Sequence, residues 1–456
     1  MKKLCLHRWG LLLCILWAGY GSYAQSTFSL QQAIEYGIKN NRNVTNAQLD
    51  LAIAKARIGE TKAMGLPQAN VALGLSHTIK PQPFFMPPGM SFIPGEPAPP
   101  GDEEIALAFG GVRYNSSAVA NLNWLLFSNS YLLGLKAAKV YTELANKNIT
   151  ASKITVAENI TKAYYAVLVN EERLNLLDVN VHRLDTLLRD TKASNLEGLV
   201  EKIDVQRIEV QRNNLVTEQQ NVQRLQELAY ILLKYQMGHP LEESFELSEK
   251  LAKLSFSEEM IQAIKRPFQY GDRIEYATLQ TQRDLQAIDV KNVQKSLWPT
   301  LSLQGNYGYF NGRQSIARFV TRPWLDAGSI GFAINVPIFD GFTRRYKLSQ
   351  SRSNLLKVDN NLELLKQSID LQLRQAEIQL RNYYFTLQEQ QKNLDLAQEV
   401  LRVTQIKYKE GVGSNIEVIN AEASFREAQT NYYTALYNAI VAKVDLDKAA
   451  GKLYTE

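Results

Sequence analysis

Thiols are almost missing from this 456-residue chain: its two cysteines, Cys5 and Cys14, both lie in the first 24 residues. A disulfide framework is therefore excluded for the rest of the molecule. Histidine is scarce too, with four in all, and no two stand at the i, i+4 spacing that zinc sites on helices use. No Gly-rich phosphate loop and no nucleophile elbow occurs. Charge is nearly balanced, 51 basic against 46 acidic residues for a net +5, too weak an excess for nucleic acid to be the main partner. Acidic residues sit beside basic ones, as in Glu171, Glu172 and Arg173, the pattern of solvated helix faces. After residue 24 no stretch approaches 18 consecutive apolar residues, so no transmembrane helix is expected. No catalytic residue, metal site or cofactor can be nominated, and an enzyme is not expected.

Residues 1–24 read as a signal peptide. Lys2, Lys3 and Arg8 precede an apolar run from Leu11 to Trp17, and Ser22-Tyr23-Ala24 supplies a small-x-small cleavage site. Cys14 lies inside the apolar run rather than at the cleavage end, so it is not read as a lipid acceptor.

The remainder compares with itself. At an offset of 213, Glu197-Gly198-Leu199 matches Glu410-Gly411-Val412, Ile203-Asp204-Val205 matches Ile416-Glu417-Val418, and Gly238 matches Gly451. These matches fall at turns and element ends, where composition bias is weakest, and they predict two repeats, 25–250 and 251–456. Each reads helix, strand, strand, long helix, turn, helix. Ser29 with Gln32 makes a capping box, and Asp272 with Glu275 is read as another. From Ser128 and Asp340, both good N-cap residues, helical patterns run to about Thr191 and about Lys409. The second carries a seven-residue seam of Leu355, Leu362, Ile369, Ala376 and Tyr383, the signature of a coiled coil. Its return helix, beginning near Ile416, covers only half its length. A shorter helix, like that from Val44 to Met64, is expected to cover the rest, so each long helix pairs with two short ones.

Four segments alternate with period two: strands are expected near 68–79, 112–127, 300–311 and 328–339. Leu122 and Trp124, Leu301, Leu303, Tyr307 and Tyr309, and Phe332, Ile334, Val336 and Ile338 form the apolar faces, opposed by Asn, Gln, Ser, Thr and Gly. Such alternation fits a sheet on a core or a barrel in lipid. The helices are committed to a coiled coil, so no second layer remains and the barrel is preferred, with the apolar residues facing lipid. Four strands cannot enclose a lumen, whereas three chains would supply twelve. Between the first two strands, residues 80–111 hold eight of the 14 prolines and are expected to be a loop.

Leu30-x-x-Ala33-Ile34 with Asn41, the Asn335-x-x-Ile338-Phe339-Asp340-Gly341 junction, and Tyr408-x-x-Gly411 through Ile416-Glu417-Val418 to Gly451, in this order and spacing, resemble the TolC-like outer membrane efflux proteins. The resemblance covers essentially the whole chain after the leader. It implies a mixed α and β membrane protein: a homotrimer with a twelve-strand β-barrel in the outer membrane of a Gram-negative cell, continuous with a twelve-helix periplasmic α-barrel. The same resemblance would place the loop 80–111 on the extracellular side. It also implies a passive exit duct for efflux or secretion that works with a periplasmic adapter and an inner-membrane pump and is gated at its helical tips. At the second tip Tyr408 fits the family's gate tyrosine, beside Gly411. Glu417 fits the first of two acidic constriction positions, Asn420 stands where the second acid would be, and Gly413 where a linking arginine is often found. Gly198 and Asp204 are the matching positions of the first tip. A single ring of Glu417 carboxylates would give mild cation preference.

Two rival functions remain. A periplasmic adapter also has a leader and a helical hairpin, but one hairpin rather than two. A pore-less coiled-coil interaction protein leaves the four alternating strands unexplained.

Overall fold

The computed structural model describes residues 26–80, 112–251, 268–315 and 323–454, with the backbone of 84–86 and 105–107. The signal segment 1–24 and most of the proline-rich stretch 80–111 lie outside the described residues. In chain order the elements are β1 (Ser26–Phe28), α1 (Leu30–Asn40), α2 (Arg42–Ala63), β2 (Gln68–His77), β3 (Phe84–Met86), β4 (Ile105–Leu107), β5 (Tyr114–Phe127), α3 (Asn129–Leu196), α4 (Lys202–Met237), β6 (Phe245–Leu247), α5 (Ile274–Gln294), β7 (Thr300–Arg313), β8 (Leu325–Asn335), α6 (Thr343–Lys409) and α7 (Asn415–Ala449). They form two compact units, each drawing on both halves of the sequence. One comprises Met1–Leu51, Leu144–Gln280 and Asn360–Glu456, the other Ala52–Glu143 and Thr281–Asp359.

The unit containing 52–143 is built on one antiparallel sheet in the order β2-β5-β7-β8. Pairing places Leu73 opposite Ala118, Ala118 opposite Tyr309, and Tyr309 opposite Asp326, which fixes two faces across all four strands. α2 lies against α3 here, with the Arg57 guanidinium 5.5 Å from the Tyr141 ring centre. α5 lies against α6 through the Arg283–Asp359 ion pair and the hydrogen bond from Ser351 Oγ to Asp289.

In the other unit α4 returns along α3 and α7 returns along α6. Arg212 Nε donates to Asp185 at 2.8 Å on the first hairpin. Leu380 and Ala376 pack with Ala442 and Leu446 on the second. Each long helix thus has a short helix beside it in one unit and its return helix in the other, as the seam lengths require. The expected seam is buried at Leu362, Ile369 and Ala376 and half-buried at its ends, Leu355 and Tyr383. The core of this unit gathers Ala33 and Val44 with Ile160, Tyr164, Leu233, Met237, Leu436 and Ile440, and Tyr164 is fully enclosed.

The two hairpins match closely: 68 and 36 residues in α3 and α4, 67 and 35 in α6 and α7. Gly198 and Gly411 have φ of +76° and +74°, and Gly238 and Gly451 are both at +70°.

Three local expectations need correction. The strand read over 328–339 is β8, Leu325–Asn335, so Val336 and Ile338 are not strand residues. Asn335 pairs with Thr300, and the residue before Thr300 is Pro299, which has no N–H with which to continue the ladder. The cap read at Asp272 and Glu275 does not form. Residues Tyr270–Asp272 make a turn of 3₁₀ helix, and Arg273 occupies the junction, its Nε donating to Glu275 at 3.0 Å. The first long helix continues past Thr191 to Leu196, because Gly198 is the first residue suited to the left-handed exit that ends it. By contrast, the capping box of Ser29 and Gln32 forms, and Asp340 accepts from the Arg344 N–H at 2.7 Å.

Candidate functional site: the helical tips and the strand faces

At the first tip Leu199 N–H donates to Ser194 O at 2.9 Å and Gly198 N–H to Asn195 O at 3.0 Å. At the second, Val412 N–H donates to Lys407 O at 3.0 Å and Gly411 N–H to Tyr408 O at 3.1 Å. Both are helix ends closed by a left-handed residue, which only glycine adopts without strain. Nothing lies within 4 Å of where a Cβ would stand at either glycine, so backbone conformation alone selects glycine there. Ser414 caps α7, its Oγ accepting from Glu417 N–H at 3.3 Å. Glu417 and Asn420 are exposed, one turn apart on α7, while Val418 and Ile419 beside them are buried. Tyr408 is half-buried and Gly198 is exposed.

The tips are tied together. Asn415 Nδ2 donates to the Asp204 carbonyl at 3.3 Å, and the Asp204 carboxylate holds Arg207 at 3.4 Å. Of the tip residues named from sequence, Asp204 is thus joined to the second tip through a buried neighbour of Glu417 that the sequence reading passed over.

A larger link, between α3 and α7, was not anticipated. Arg183 on α3 directs Nη1 to both oxygens of Glu422 on α7, at 3.2 and 3.3 Å, and Gln405 Nε2 reaches the same carboxylate at 3.3 Å. The guanidinium lies 5.5 Å from the Phe425 ring centre. Asn180 Nδ2 donates to Gln429 Oε1 at 2.8 Å, both residues buried. Burial pushes the Glu422 carboxyl above its ordinary range, and the attraction of Arg183 opposes that only in part. A signal for this link does exist in the sequence. Glu422 stands four residues after Val418 and three before Phe425, on the stripe α7 buries, where an acid needs a partner.

On the sheet, pairing puts Leu122, Trp124, Leu301, Leu303, Tyr307, Tyr309, Phe332 and Ile334 on one face, together with Val71, Leu73, Leu75 and Ile330. Leu73 is 80% exposed, Ile330 74% and Phe332 72%. Such a contiguous apolar face open to the surroundings marks a contact with lipid or protein. Trp124 Nε1 donates to Gly65 O at 2.9 Å, anchoring the ring near the end of β5. Val336 and Ile338 are also exposed, but in the segment leading to α6. Among the described residues no group of three or more His, Cys, Asp or Glu could hold a metal ion.

Residues 273–452 match the family model described as outer membrane efflux protein. The chain is 20% identical over 337 residues to outer membrane protein TolC of Vibrio cholerae serotype O1, covering 74% of this chain and 77% of that one. It is 21% identical over 442 residues to nodulation protein T of Rhizobium leguminosarum bv. trifolii, covering 93% and 86%. Among solved structures, the Campylobacter jejuni CmeC outer membrane channel superposes with a TM-score of 0.71 at 15% identity, over 96% of this chain and 91% of that one. Over residues 273–452 the chain is thus similar to the outer membrane efflux proteins.

Proposed function

We propose that this protein is the outer membrane channel of a Gram-negative export system, a homotrimer whose twelve strands close a barrel and whose helices form a twelve-helix tunnel. The observation that carries the reading is the four-stranded sheet. One of its faces is apolar and exposed, and among the described residues no strand pairs beyond β2 or beyond β8. Open edges of ten and eleven residues are aggregation templates unless another chain covers them. Because β2 and β8 run in opposite directions, β8 of one copy can pair antiparallel with β2 of the next, and repetition closes a ring. Two copies would give eight strands, whose interior side chains fill, whereas three give twelve and leave a lumen.

The helices support the same assembly. Leu364, Leu371, Ile378 and Phe385 on α6 repeat every seven residues, each more than half exposed in the single chain. On α4, Leu225, Leu228, Leu232 and Tyr235 form a second exposed stripe at coiled-coil spacing. The matching hairpins and glycine conformations favour duplication of one ancestral unit. Energy for transport would come from an inner-membrane pump joined through a periplasmic adapter, with the conduit itself passive. Tyr408, Gly411, Gly198 and Asp204 sit at the gate, and exposed Glu417 forms a ring of three carboxylates with Asn420 one turn further along.

Fractionation tests the assembly: recovery from the outer membrane as a detergent-resistant trimer supports it, and a soluble monomer refutes it. For the ring, the measurement is reversal potential in a planar bilayer. Glu417→Gln should weaken cation preference, and unchanged selectivity would remove Glu417 from the constriction.

A further inference from the structure

The second face of the sheet carries a pattern that membrane insertion alone does not require. Across the four strands, Asn70 pairs with Asn121, Asn121 with Asn306, and Asn306 with Ser329, so three carboxamides and a hydroxyl stand in one row. The adjacent row on the same face is Gln68, Asn123 and Gln304, ending at Gly331. Asn306 Nδ2 donates to Ser329 Oγ at 3.0 Å within the first row. The next row beyond Asn70 changes character, to Ala72, Val119, Gly308 and Ala327. Six amides are therefore concentrated in a belt two rows deep, and the two other carboxamides of this face, Asn115 and Asn335, stand apart from it near the strand ends.

The belt is also free of charge. The ionisable side chains His77, Arg313 and Asp326, and the phenols of Tyr114, Tyr307 and Tyr309, all fall on the apolar face. In these four strands the amide face has no titratable group at all. A water-filled lumen would tolerate charge here, so polarity alone does not explain its exclusion.

We propose that this belt is a hydrogen-bonding subsite for uncharged polyhydroxylated solutes, carbohydrates in chemical class, and that the barrel wall does not sort ions by sign. The assignment rests on the channel reading, which turns this face toward the lumen. Each carboxamide offers two N–H donors and a carbonyl acceptor, so it can serve both the hydrogen and the oxygen of a hydroxyl. Neighbouring strands lie about 4.8 Å apart and same-face residues along a strand about 6.7 Å apart, a grid on which one sugar chain can engage several amides at once. An ion gains no such advantage, because the amide dipole presents both signs. Closure by three copies would bring eighteen such side chains around the duct.

Single-channel currents of the full-length protein in a planar bilayer, with maltohexaose in both chambers, test this. The wild type should show transient blockades lasting at least fivefold longer than those of the Asn70→Ala, Asn121→Ala, Asn306→Ala variant, while the sodium-to-chloride permeability ratio stays the same in both. Asn121→Gln should retain the blockades, and Asn121→Asp should raise cation preference severalfold. If the triple variant does not assemble, single Asn70→Ala and Asn306→Ala proteins should each shorten the blockades at least twofold. A conducting wild type without blockades, or blockades of equal length in the alanine variants, overturns the belt assignment. A wild type that never conducts overturns the channel reading beneath it.

Discussion

Replacing Arg183 by methionine isolates one of the electrostatic links between α3 and α7, distinct from the Lys162–Asp445 and Glu158–Lys448 pairs of the same two helices. Methionine keeps an apolar contact with Phe425 but removes the charge that faces Glu422 at 3.2 and 3.3 Å. Breaking a fully buried ion pair costs about 3–5 kcal/mol, whereas exposed pairs contribute about 0–1 kcal/mol. The Glu422 side chain is 10% exposed and that of Arg183 30%, so the pair falls between these limits, nearer the buried one. A loss of about 2–3 kcal/mol in local stability follows, or about 30- to 150-fold in the opening equilibrium of this part of α7. Amide hydrogen exchange of residues 418–426 in the detergent-solubilised full-length protein reads that equilibrium directly. Glu422→Gln alone should change exchange less than about fivefold, because the amide still accepts from Arg183 and no longer needs desolvation as an ion. The double variant should recover most of the protection lost in Arg183→Met.

The pH dependence of this link has a definite sign. The folded-state pKa of Glu422 lies above its ordinary value of 4.5, chiefly through burial. Its contribution is therefore complete below that value and is lost as pH rises through the folded-state value. Relative to Glu422→Gln, the wild type should gain protection on acidification through this window. Without Arg183 the same window should move to higher pH. Exchange in Arg183→Met within threefold of wild type, or a double variant as labile as that single one, would refute the assignment.

Other outcomes follow from backbone and face. Gly411→Ala should cost about 1–2 kcal/mol, the strain of a left-handed residue in open space. Gly238→Ala should cost more, since its Cβ would stand 2.8 Å from Asn40 O, and thermal unfolding of the two variants should rank them in that order. Ile330→Arg places a charge on the apolar face of β8, which the channel reading turns toward lipid, and should then lose about 2–4 kcal/mol if near the bilayer midplane. Ser329→Arg, one residue away on the opposite face, should assemble far better. Equal yields of heat-resistant trimer from these two variants would contradict the face assignment.

Much of the fold was legible because its elements are long and periodic. A seven-residue seam sustained from Leu355 to Tyr383 and period-two alternation over ten residues leave few competing structures. Errors gathered at element ends, where a single backbone group decides the outcome. Alternation alone carried the last strand through Val336 and Ile338, yet β8 stops at Asn335, because a ladder needs a donor on the opposite strand and Pro299 offers none. At Asp272 the side-chain types of a capping box were present, but Arg273 reaches Ala449 O at 2.9 Å and Gln372 Oε1 at 3.0 Å. Those tertiary bonds fix the junction in place of the local cap.

The site divides in the same way. Gly198 and Gly411 could be found because a left-handed helix exit is written into one residue. The Arg183–Glu422 link and the Asn415–Asp204 bond join residues 239 and 211 positions apart, so although the buried stripe of α7 marks Glu422 as needing a partner, no local pattern says which residue it is. The amide rows are an intermediate case. The polar face of each strand was readable from its own sequence, but Asn70, Asn121 and Asn306 become a row only once the register between strands is known. A shift of one residue in either pairing would move one strand's asparagines to the opposite face and dissolve the belt. Register is what turns three scattered asparagines into a surface with a chemistry of its own, and the Asn306–Ser329 hydrogen bond reports that register from within the belt.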